Sequence, residues 1–414
     1  MKEKTKIVIV GNGFGGVYTL KNLHKLFHKK GKTDITLIGE KNYFLFTPLL
    51  HEVATGSINP ANIIEPIRKV LDCCMSNFYL GKVTEIDTVK CIVKVDHHEI
   101  PYDYLVLAPG SETNYFNTPG AKTYSLTLKN LEDALKIKNK IIAQVEKASH
   151  IKDRTLRKKI LSFIIVGGGP TGVELASEIQ ELLKESFSHY FRKEIIEDTS
   201  VTIIQKNEDL LTQFGKTLRT KSLKFLEQKG IRIMLNTKVK SVDIDHVTLE
   251  DNAKIIGDTI IWVAGIKPND LNFKQEVSRA TDGRLIVNEF LQLENNPHVY
   301  ALGDVASFKS TDGYTLPALA QVAEKQAKAV AENIYKNIKN KKLKPFIYKH
   351  SGSLVSLGQW MAIGEISVFS FWGRITWWIW RTVYLSKLIS FRKKVRVAID
   401  WTLNIFSPRD ISEF

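Results

Sequence analysis

The spacing of hydrophobic residues changes along the first forty positions of the chain, from unbroken runs to the spacing of a helix and back. An unbroken β-branched run over 7–10 predicts a buried strand, and a similar run over 35–38 predicts a second one. Between them, positions 17–27 carry apolar residues three and four apart, the spacing of one helix face. A strand, a helix and another strand in this order are typical of a parallel α/β sheet.

Glycines occupy the turn between the first strand and the first helix. Gly11, Gly13 and Gly16 fit G-x-G-x-x-G, in which glycine allows a sharp turn, a close approach of a pyrophosphate and close packing of helix on strand. The helix N-terminus then points towards the phosphates. Glu40 follows the second strand, 24 residues past Gly16, where a carboxylate can meet an adenosine ribose. We therefore expect a dinucleotide site here, which a glycine-rich surface turn would not explain.

The same order of elements recurs later in the chain. A strand over 163–166 leads into a loop with Gly167, Gly169 and Gly172, and a helix follows over 173–182. Such an internal repeat indicates a second Rossmann-like unit. Two nucleotide loops imply two nucleotides, and the usual reason to hold both is electron transfer from a nicotinamide to a flavin.

The next strand, 200–204, ends on Gln205 and Lys206 instead of an acid. A carboxylate would repel a 2′-phosphate, whereas a neutral Gln205 does not and Lys206 can pair with it. We therefore predict that NADPH is tolerated beside NADH. The alternative is that the Gln205 side chain faces away from the nucleotide and decides nothing.

Two further stretches bear on ligand binding. A strand predicted over 299–306 contains Gly303 and Asp304, whose carboxylate could accept hydrogen bonds from ligand hydroxyls. The aromatic-rich stretch 41–60 could form a wall against a flat ring, and a plain core segment is an equal alternative.

The composition of the chain bears on its binding partner and on its cellular compartment. The 414 residues carry a formal net charge of +15, which favours nucleic acid, an anionic membrane or a phosphate-rich ligand. The apolar run 7–10 is too short for a signal peptide, so we expect none. Cys73, Cys74 and Cys91 form no C-x-x-C pair, which favours ordinary thiols in a reducing compartment.

The composition changes again near the end of the chain. Residues 371–406 contain five of the seven tryptophans, and seven basic residues against one acidic. Uncharged runs here are shorter than the roughly eighteen apolar residues of a membrane span. Tryptophan and basic residues favour the interface of an anionic bilayer, so we predict two amphipathic helices near 373–388 and 393–405 lying on the membrane. A dimerisation arm is the main alternative, and nucleic-acid binding is disfavoured.

Together, the glycine loops, the Gly303-Asp304 pair and the basic tail resemble the type II NADH dehydrogenases. These are single-subunit FAD enzymes on the membrane surface that pass electrons from NADH to quinone without pumping protons. The likeness covers nearly the whole chain. It implies two Rossmann-like domains and a membrane-binding helical tail, with FAD and NADH as cofactors and a quinone as acceptor.

The resemblance also implies the site residues. In that family the first loop and Glu40 hold FAD, and Asp304 binds the ribitol. The implied cofactor-binding residues are Gly11, Gly13, Phe14, Gly15, Gly16, Glu40, Thr47, Pro48, Val83, Ala108, Gly110, Asp304, Ala320, Gln321, Gly167, Gly169, Pro170, Thr171, Gly172, Gln205 and Gly265. The implied catalytic residues are Glu174, Gln321 and Lys325.

Glu174 matches the acid of the family's G-V-E, near the nicotinamide. It would position the nicotinamide or relay a proton, and the alternative is a carboxylate that only stabilises the helix N-terminus. The stretch 320–326 resembles the quinone motif A-Q-x-A-x-Q, except that Lys325 takes the place of the final Gln and Gln326 follows it. Since a helix turns about 100° per residue, Gln326 cannot simply replace it. Lys325 would stabilise negative charge, or else be a solvated surface lysine.

We expect an FAD domain over 1–115 and 291–340, an NAD(P)H domain over 116–290 and a membrane-anchoring region over 341–414. The expected location is the cytoplasmic face of the cell membrane, with a homodimer left open.

Other enzyme classes fit the sequence less well. A sulfide:quinone or disulfide oxidoreductase would need a redox cysteine pair at the flavin. A ferredoxin-type reductase leaves the tail unexplained, and a non-catalytic flavin-binding protein leaves Glu174 and the Ala320-Gln321 pair unexplained.

Overall fold

The computed structural model describes residues 4–28, 33–71, 76–310 and 313–413. The strands are β1 (Thr5–Val10), β2 (Thr33–Gly39), β3 (Tyr43–Leu45), β4 (Ile64–Pro66), β5 (Ser76–Leu80), β6 (Val83–Asp87), β7 (Ile92–Val95), β8 (His98–Pro101), β9 (Tyr104–Leu107), β10 (Ser111–Thr113), β11 (Ser162–Val166), β12 (Ser200–Ile204), β13 (Ile231–Met234), β14 (Val239–Val242), β15 (His246–Leu249), β16 (Lys254–Ile256), β17 (Thr259–Trp262), β18 (Ile266–Pro268), β19 (Leu285–Ile286), β20 (Gln292–Leu293), β21 (Asn296–Ala301), β22 (Ala306–Ser307), β23 (Ser353–Ser356), β24 (Ala362–Ile366) and β25 (Phe369–Gly373). The α-helices are α1 (Phe14–Phe27), α2 (Leu50–Val53), α3 (Ile67–Leu71), α4 (Ala121–Tyr124), α5 (Leu131–Ser149), α6 (Arg154–Ile160), α7 (Pro170–Glu181), α8 (Lys193–Glu197), α9 (Lys216–Gln228), α10 (Ala320–Ile338), α11 (Arg374–Lys387) and α12 (Phe391–Phe406).

Contacts divide the chain into two compact units. The first unit contains residues 1–45, 64–112 and 266–350, and the second contains residues 46–63, 113–265 and 351–414. Each unit therefore draws on separated parts of the sequence, and each is built around a parallel sheet of its own.

A six-stranded sheet in the order β20–β21–β9–β1–β2–β5 forms the centre of the first unit. Its middle strand β1 pairs in parallel with β2 on one side and β9 on the other, and residues 7–10 of β1 are fully buried. Helix α1 connects β1 to β2 and packs against α10. The unbroken apolar run 7–10 therefore lies in β1, a central strand that is covered on both faces of the sheet.

The second unit repeats this plan with a parallel sheet in the order β13–β12–β11–β17. Helix α7 follows β11, and two three-stranded antiparallel sheets, β14–β15–β16 and β23–β24–β25, belong to the same unit. The expected α/β class with two Rossmann-like units and C-terminal helices is confirmed. Helices α1 and α7 begin at Phe14 and Pro170, directly at the glycine loops and three residues earlier than the apolar spacing indicated.

The two helices predicted for the tail are present as α11 and α12, but most of its tryptophans do not lie at the surface. Trp377, Trp380 and Trp401 are each at most 4% exposed, and only Trp378 is half exposed. The Arg381 guanidinium carbon lies 3.6 Å from the Trp377 ring centroid and 4.9 Å from that of Trp401. The interpretation of these three tryptophans as interfacial residues is therefore wrong: they fill the core of the second unit.

Across the described part of the chain, none of the helices combines the length and the apolar character that crossing a membrane requires.

Candidate active site

The first glycine loop has the geometry of a phosphate cradle. Gly11 has φ 102°, which only glycine adopts readily, and a Cβ at Gly16 would lie 1.7 Å from the Gly11 carbonyl oxygen. A Cβ at Gly13, in contrast, would meet no atom within 4 Å. The loop is closed where the helix packs on it and open at Gly13, beside the N-terminus of α1. This shape fits the pyrophosphate of FAD.

Neighbouring residues fix the path of the chain around this loop. The Asn12 side-chain amide donates to the carbonyl oxygens of Lys41 and Tyr43 at 2.7 and 2.8 Å, which holds the segment directly after the exposed Glu40. The Phe14 ring meets the Phe44 ring edge-on with centroids 5.1 Å apart. Gly15 faces the core, where a Cβ would lie 2.5 Å from a Leu302 methyl group.

The turn after β9 in the first unit lies against this cradle. The Ala108 carbonyl oxygen would lie 2.1 Å from a Cβ on Gly11, so the turn after β9 packs directly on the glycine loop. Asn269 holds this turn by donating its side-chain amide to Pro109 O and its backbone N–H to Gly110 O. Val83 lies at the start of the β6–β7 hairpin, two residues after Gly81, whose N–H donates to the Gly39 carbonyl oxygen at 3.1 Å.

Asp304 lies in the 3₁₀ turn Gly303–Val305, and its position is fixed from two sides. Ser111 Oγ donates to Asp304 Oδ2 at 2.5 Å. The Gly303 N–H donates at 2.7 Å to Oε1 of Gln326, a side chain only 1% exposed. Gln326 therefore supports the Gly303-Asp304 pair, a role that sequence reasoning missed. The signal was a glutamine at helical spacing from the apolar Val322, Ala323 and Val330 of α10.

Lys325 points away from Gln326, as the helical step of about 100° requires. Ala320 and Gln321 form the first turn of α10, and the half-buried Lys325 lies one turn later. Its Nζ donates to the backbone carbonyl of Lys349 and lies 5.1 Å from the Tyr348 ring centroid. Lys325 is thus held in place, which a fully solvated surface lysine would not be.

The second glycine loop repeats the geometry of the first. Gly167 has φ 118°, a Cβ at Gly172 would lie 1.9 Å from the Gly167 carbonyl oxygen, and a Cβ at Gly169 would meet nothing within 4 Å. Pro170 and Thr171 then begin helix α7. This loop presents the same open position beside a helix N-terminus, and so fits the pyrophosphate of a nicotinamide dinucleotide.

Gln205 contacts this loop directly. Its Oε1 accepts from the Gly168 N–H at 3.0 Å, and its Nε2 donates to the Asp209 carbonyl at 3.3 Å. Lys206 lies beside it, with Nζ 5.5 Å from the Phe116 ring centroid. Phe116 also covers Gly265, where a Cβ would lie 2.6 Å from that ring. The Gln205 side chain therefore faces the loop and supports its backbone.

Thr47 and Pro48 open the 3₁₀ turn Thr47–Leu49, which continues into α2. Helix α2 packs against α7 and buries His51 and Glu52 completely. The stretch that was predicted to be either a ring-binding wall or a core segment therefore contributes two ionisable side chains to the interior of the second unit.

Glu174 is one of the buried acids of α7. It is 8% exposed, its Oε1 accepts from the Ser356 N–H at 3.1 Å, and its Oε2 lies 3.8 Å from His51 Nδ1. Burial raises the pKa of Glu174 well above its usual range, and the Glu52 and Glu178 carboxyls raise it further against the Ser356 hydrogen bond. Since Glu174 lies beyond the first turn of α7, a role confined to the helix N-terminus is disfavoured.

Three more glutamates surround Glu174, and we name this group of four the acid cluster: Glu52, Glu174, Glu178 and Glu181. The Arg409 guanidinium contacts Glu178 Oε2 and Glu181 Oε2, both at 2.8 Å, and Lys229 Nζ contacts Glu181 Oε1. Glu52 accepts a hydrogen bond from Trp401 Nε1. Sequence reasoning singled out only Glu174 of this cluster. The signal for two more was the helical spacing of Glu174, Glu178 and Glu181, which are four and three residues apart on one face of α7.

Neither a metal site nor a disulfide stands out in the described ranges. No group of three or more metal-ligating side chains is found there, and Cys91 is a free thiol. Cys73 and Cys74 lie outside the described residues.

Comparisons with known proteins agree with this geometry. Residues 5–327 match the family model described as "Pyridine nucleotide-disulphide oxidoreductase", and residues 350–410 match the "NDH2 C-terminal domain". A "Probable NADH dehydrogenase" of Dictyostelium discoideum is 32% identical over 100% of this chain and 92% of its own length. The "Type II NADH:quinone oxidoreductase Ndh" of Mycobacterium tuberculosis is 31% identical over 98% of this chain and 89% of its own.

A solved structure of NDH2 from Plasmodium falciparum in complex with NADH superposes with a TM-score of 0.90 at 25% identity, covering 99% of this chain and 100% of that one. The resemblance stated from the glycine loops and the tail is thereby confirmed. The chain belongs to the type II NADH:quinone oxidoreductases, a family of flavin-dependent enzymes.

Proposed function

We propose that the protein passes two electrons from NADH, by way of FAD, to a membrane quinone without pumping protons. The observation that carries this proposal is the pair of glycine cradles, one in each unit, each open beside the N-terminus of a helix. Each unit offers its own dinucleotide site, as an enzyme with two nucleotide cofactors requires.

FAD, when bound, supplies the redox chemistry: it accepts a hydride and passes on two electrons. The protein binds and orients the reactants. In the first unit, Gly13 admits the pyrophosphate and Asp304 accepts hydrogen bonds from the ribitol. In the second, Gly169 admits the pyrophosphate of NADH. Glu174 positions the nicotinamide or holds a proton, and Lys325, with Gln321, stabilises negative charge as electrons arrive.

A stopped-flow experiment tests this function. Mixing the holoenzyme with NADH should bleach the flavin absorbance, and adding a quinone should restore it. A flavin that NADH does not bleach would favour a non-catalytic flavin-binding protein. Bleaching that only a disulfide or a ferredoxin reverses would instead favour one of the other two reductase classes.

We also propose that NADPH serves as a donor, because Gln205 carries no charge and Lys206 follows it. The value of kcat/KM for NADPH should lie within about a thousandfold of that for NADH, a difference of about 4 kcal/mol. Lys206→Glu should lower kcat/KM for NADPH by roughly tenfold or more, since it replaces an attraction to the 2′-phosphate by a repulsion, with NADH as the internal control. A larger preference for NADH, or an equal loss with both donors, would contradict this proposal.

The membrane contact that we propose is the outer face of α11 and α12. Its exposed apolar residues are Ile375, Trp378, Phe391, Leu403 and Phe406. Its exposed basic residues are Arg374, Lys387, Arg392 and Arg396. Apolar side chains that insert into the interface, flanked by cations, favour an anionic bilayer. We also propose that this membrane is the cell membrane, contacted at its cytoplasmic face, and that the protein forms a homodimer. The three predicted domain ranges are proposed as well.

Charging this face should release the protein from lipid. The double variant Leu403→Glu/Phe406→Glu replaces side chains that are 57% and 81% exposed, so the fold should tolerate it. We expect its binding to vesicles with anionic phosphatidylglycerol to fall at least tenfold in a flotation assay, while the rate with a water-soluble quinone persists. Ile244→Glu, at an apolar residue 70% exposed outside the tail, is the matched control. Equal binding to neutral and anionic vesicles would argue against the anionic surface.

A further inference from the structure

The acid cluster holds more negative than positive groups. Four carboxyls are buried there, and the cations that face them are Arg381, Arg409 and Lys229. His51 does not add a positive charge, because burial, and then the charge of Arg409, lower its pKa to about 3. Since an unpaired buried carboxylate is costly, at least one of the four carboxyls should hold a proton at neutral pH.

Glu52 is the carboxyl best placed to hold that proton. Its side chain is 5% exposed and accepts from Trp401 Nε1, and no cation lies within ion-pair distance of it in the ranges described. Glu178 and Glu181, in contrast, each contact Arg409. Burial, and then the charge of Glu178, raise the pKa of Glu52 to about 8, although Arg381, the Trp401 hydrogen bond and Arg409 act in the opposite direction.

Unpartnered polar atoms surround the same place. Among the described residues, His51 Nε2 and Arg381 Nε are buried without a hydrogen-bond partner. The His51 and Trp380 rings lie 6.1 Å apart, and Trp380 lies 5.9 Å from Trp401, which donates to Glu52. Buried polar groups of this kind normally bind water or a ligand. A water bound to such an atom would supply a proton carrier beside the Glu52 and Glu174 carboxyls.

We propose that Glu52 stores a proton inside the second unit and passes it through Glu174 to the quinone as the quinone is reduced. Glu52 faces Glu174 and Glu178 of α7, Arg381 of α11, Trp401 of α12 and Arg409 of the C-terminal segment. This inference rests on the proposed function, because it assigns to Glu174 the proton-relaying role.

The proton balance of the reaction calls for such a store. NADH gives a hydride, which carries two electrons and one proton, and the quinone gains two electrons and two protons to become a quinol. The second proton comes from water, so each turnover consumes one. In our proposal Glu52 gives up its proton as the quinol forms, and water restores it afterwards.

Infrared titration of the holoenzyme reports on this proton without turnover. We expect the carboxylic-acid C=O band to be present at pH 7 and to lose a component with a midpoint near pH 8. Glu52→Gln, which can still accept from Trp401, should remove that component. Glu65→Gln should leave it unchanged, because Glu65 is equally buried but contacts Lys69.

Two neighbours should move the midpoint in opposite directions if the band belongs to Glu52. Glu178→Gln removes a negative charge and should lower it, whereas Trp401→Phe removes the hydrogen bond to the carboxylate and should raise it. A wild-type enzyme without the band at pH 7, or a band unaffected by Glu52→Gln, would overturn the proposal.

A single-turnover experiment with a pH-indicator dye tests the delivery. In the wild type, proton uptake from water should lag behind quinol formation, and in Glu52→Gln the two should coincide and quinol should form more slowly. Coincident traces in the wild type would overturn the relay. A protein that reduces no quinone would refute the proposed function, while the infrared result would still report the proton on Glu52.

Discussion

Replacing Glu174 by glutamine should slow quinone reduction by about a hundredfold or more, within the usual contribution of a positioned proton donor. Glutamine keeps the shape of the side chain and can still accept from the Ser356 N–H, so the loss should reflect the missing proton and not a disturbed fold. Steady-state rates with a water-soluble quinone measure the effect. An unchanged KM for NADH would favour proton relay over positioning of the nicotinamide.

The pH dependence adds a second signature. Because burial raises the pKa of Glu174, the wild-type kcat should fall as pH rises through that pKa and the acid form is lost. In the Glu174→Gln variant, kcat should not fall in this way as the pH rises. Ser177→Ala is the matched control, because Ser177 lies on the same helix and its buried Oγ has no hydrogen-bond partner among the described residues. This variant should keep both the wild-type rate and the fall of kcat at alkaline pH. If the two variants lose activity equally, Glu174 has no special role.

Local patterns predicted the parts of the molecule that are continuous in sequence. The β-branched run that became β1, the cradle at Gly13 and the paired tail helices all follow from periodicity and glycine spacing within about thirty residues. The resemblance to a known family then related the two cradles to one reaction. These predictions needed no knowledge of which distant segments touch.

Contacts between distant segments were beyond the same reasoning. The tail tryptophans were interpreted from composition, yet Trp380 and Trp401 are buried because α11 and α12 pack their aromatic faces into the second unit. Likewise, Glu52 and Trp401 are 349 residues apart and share no pattern that would pair them. Burial and charge compensation depend on the folded neighbourhood, so a single sequence does not reveal them.

Arg409→Met should be the most destabilising of the substitutions proposed here. The side chain is 10% exposed and pairs with both Glu178 and Glu181. Burial alone would lower the pKa of Arg409, but these two carboxylates outweigh it and raise the pKa, so the guanidinium stays charged. Removing one partner of a buried ion pair typically costs about 3–5 kcal/mol, because the other charge is left uncompensated. A thermal-unfolding midpoint several degrees lower is the expected result.

A second substitution should restore most of that loss. Without Arg409, Glu181 still contacts Lys229, whereas within the described ranges Glu178 keeps only the hydroxyls of Thr55 and Ser57 as side-chain partners. Adding Glu178→Gln removes the uncompensated charge, so the double variant should unfold at a higher temperature than Arg409→Met alone. A defect that Glu178→Gln does not relieve would show that Arg409 acts by packing and not by charge.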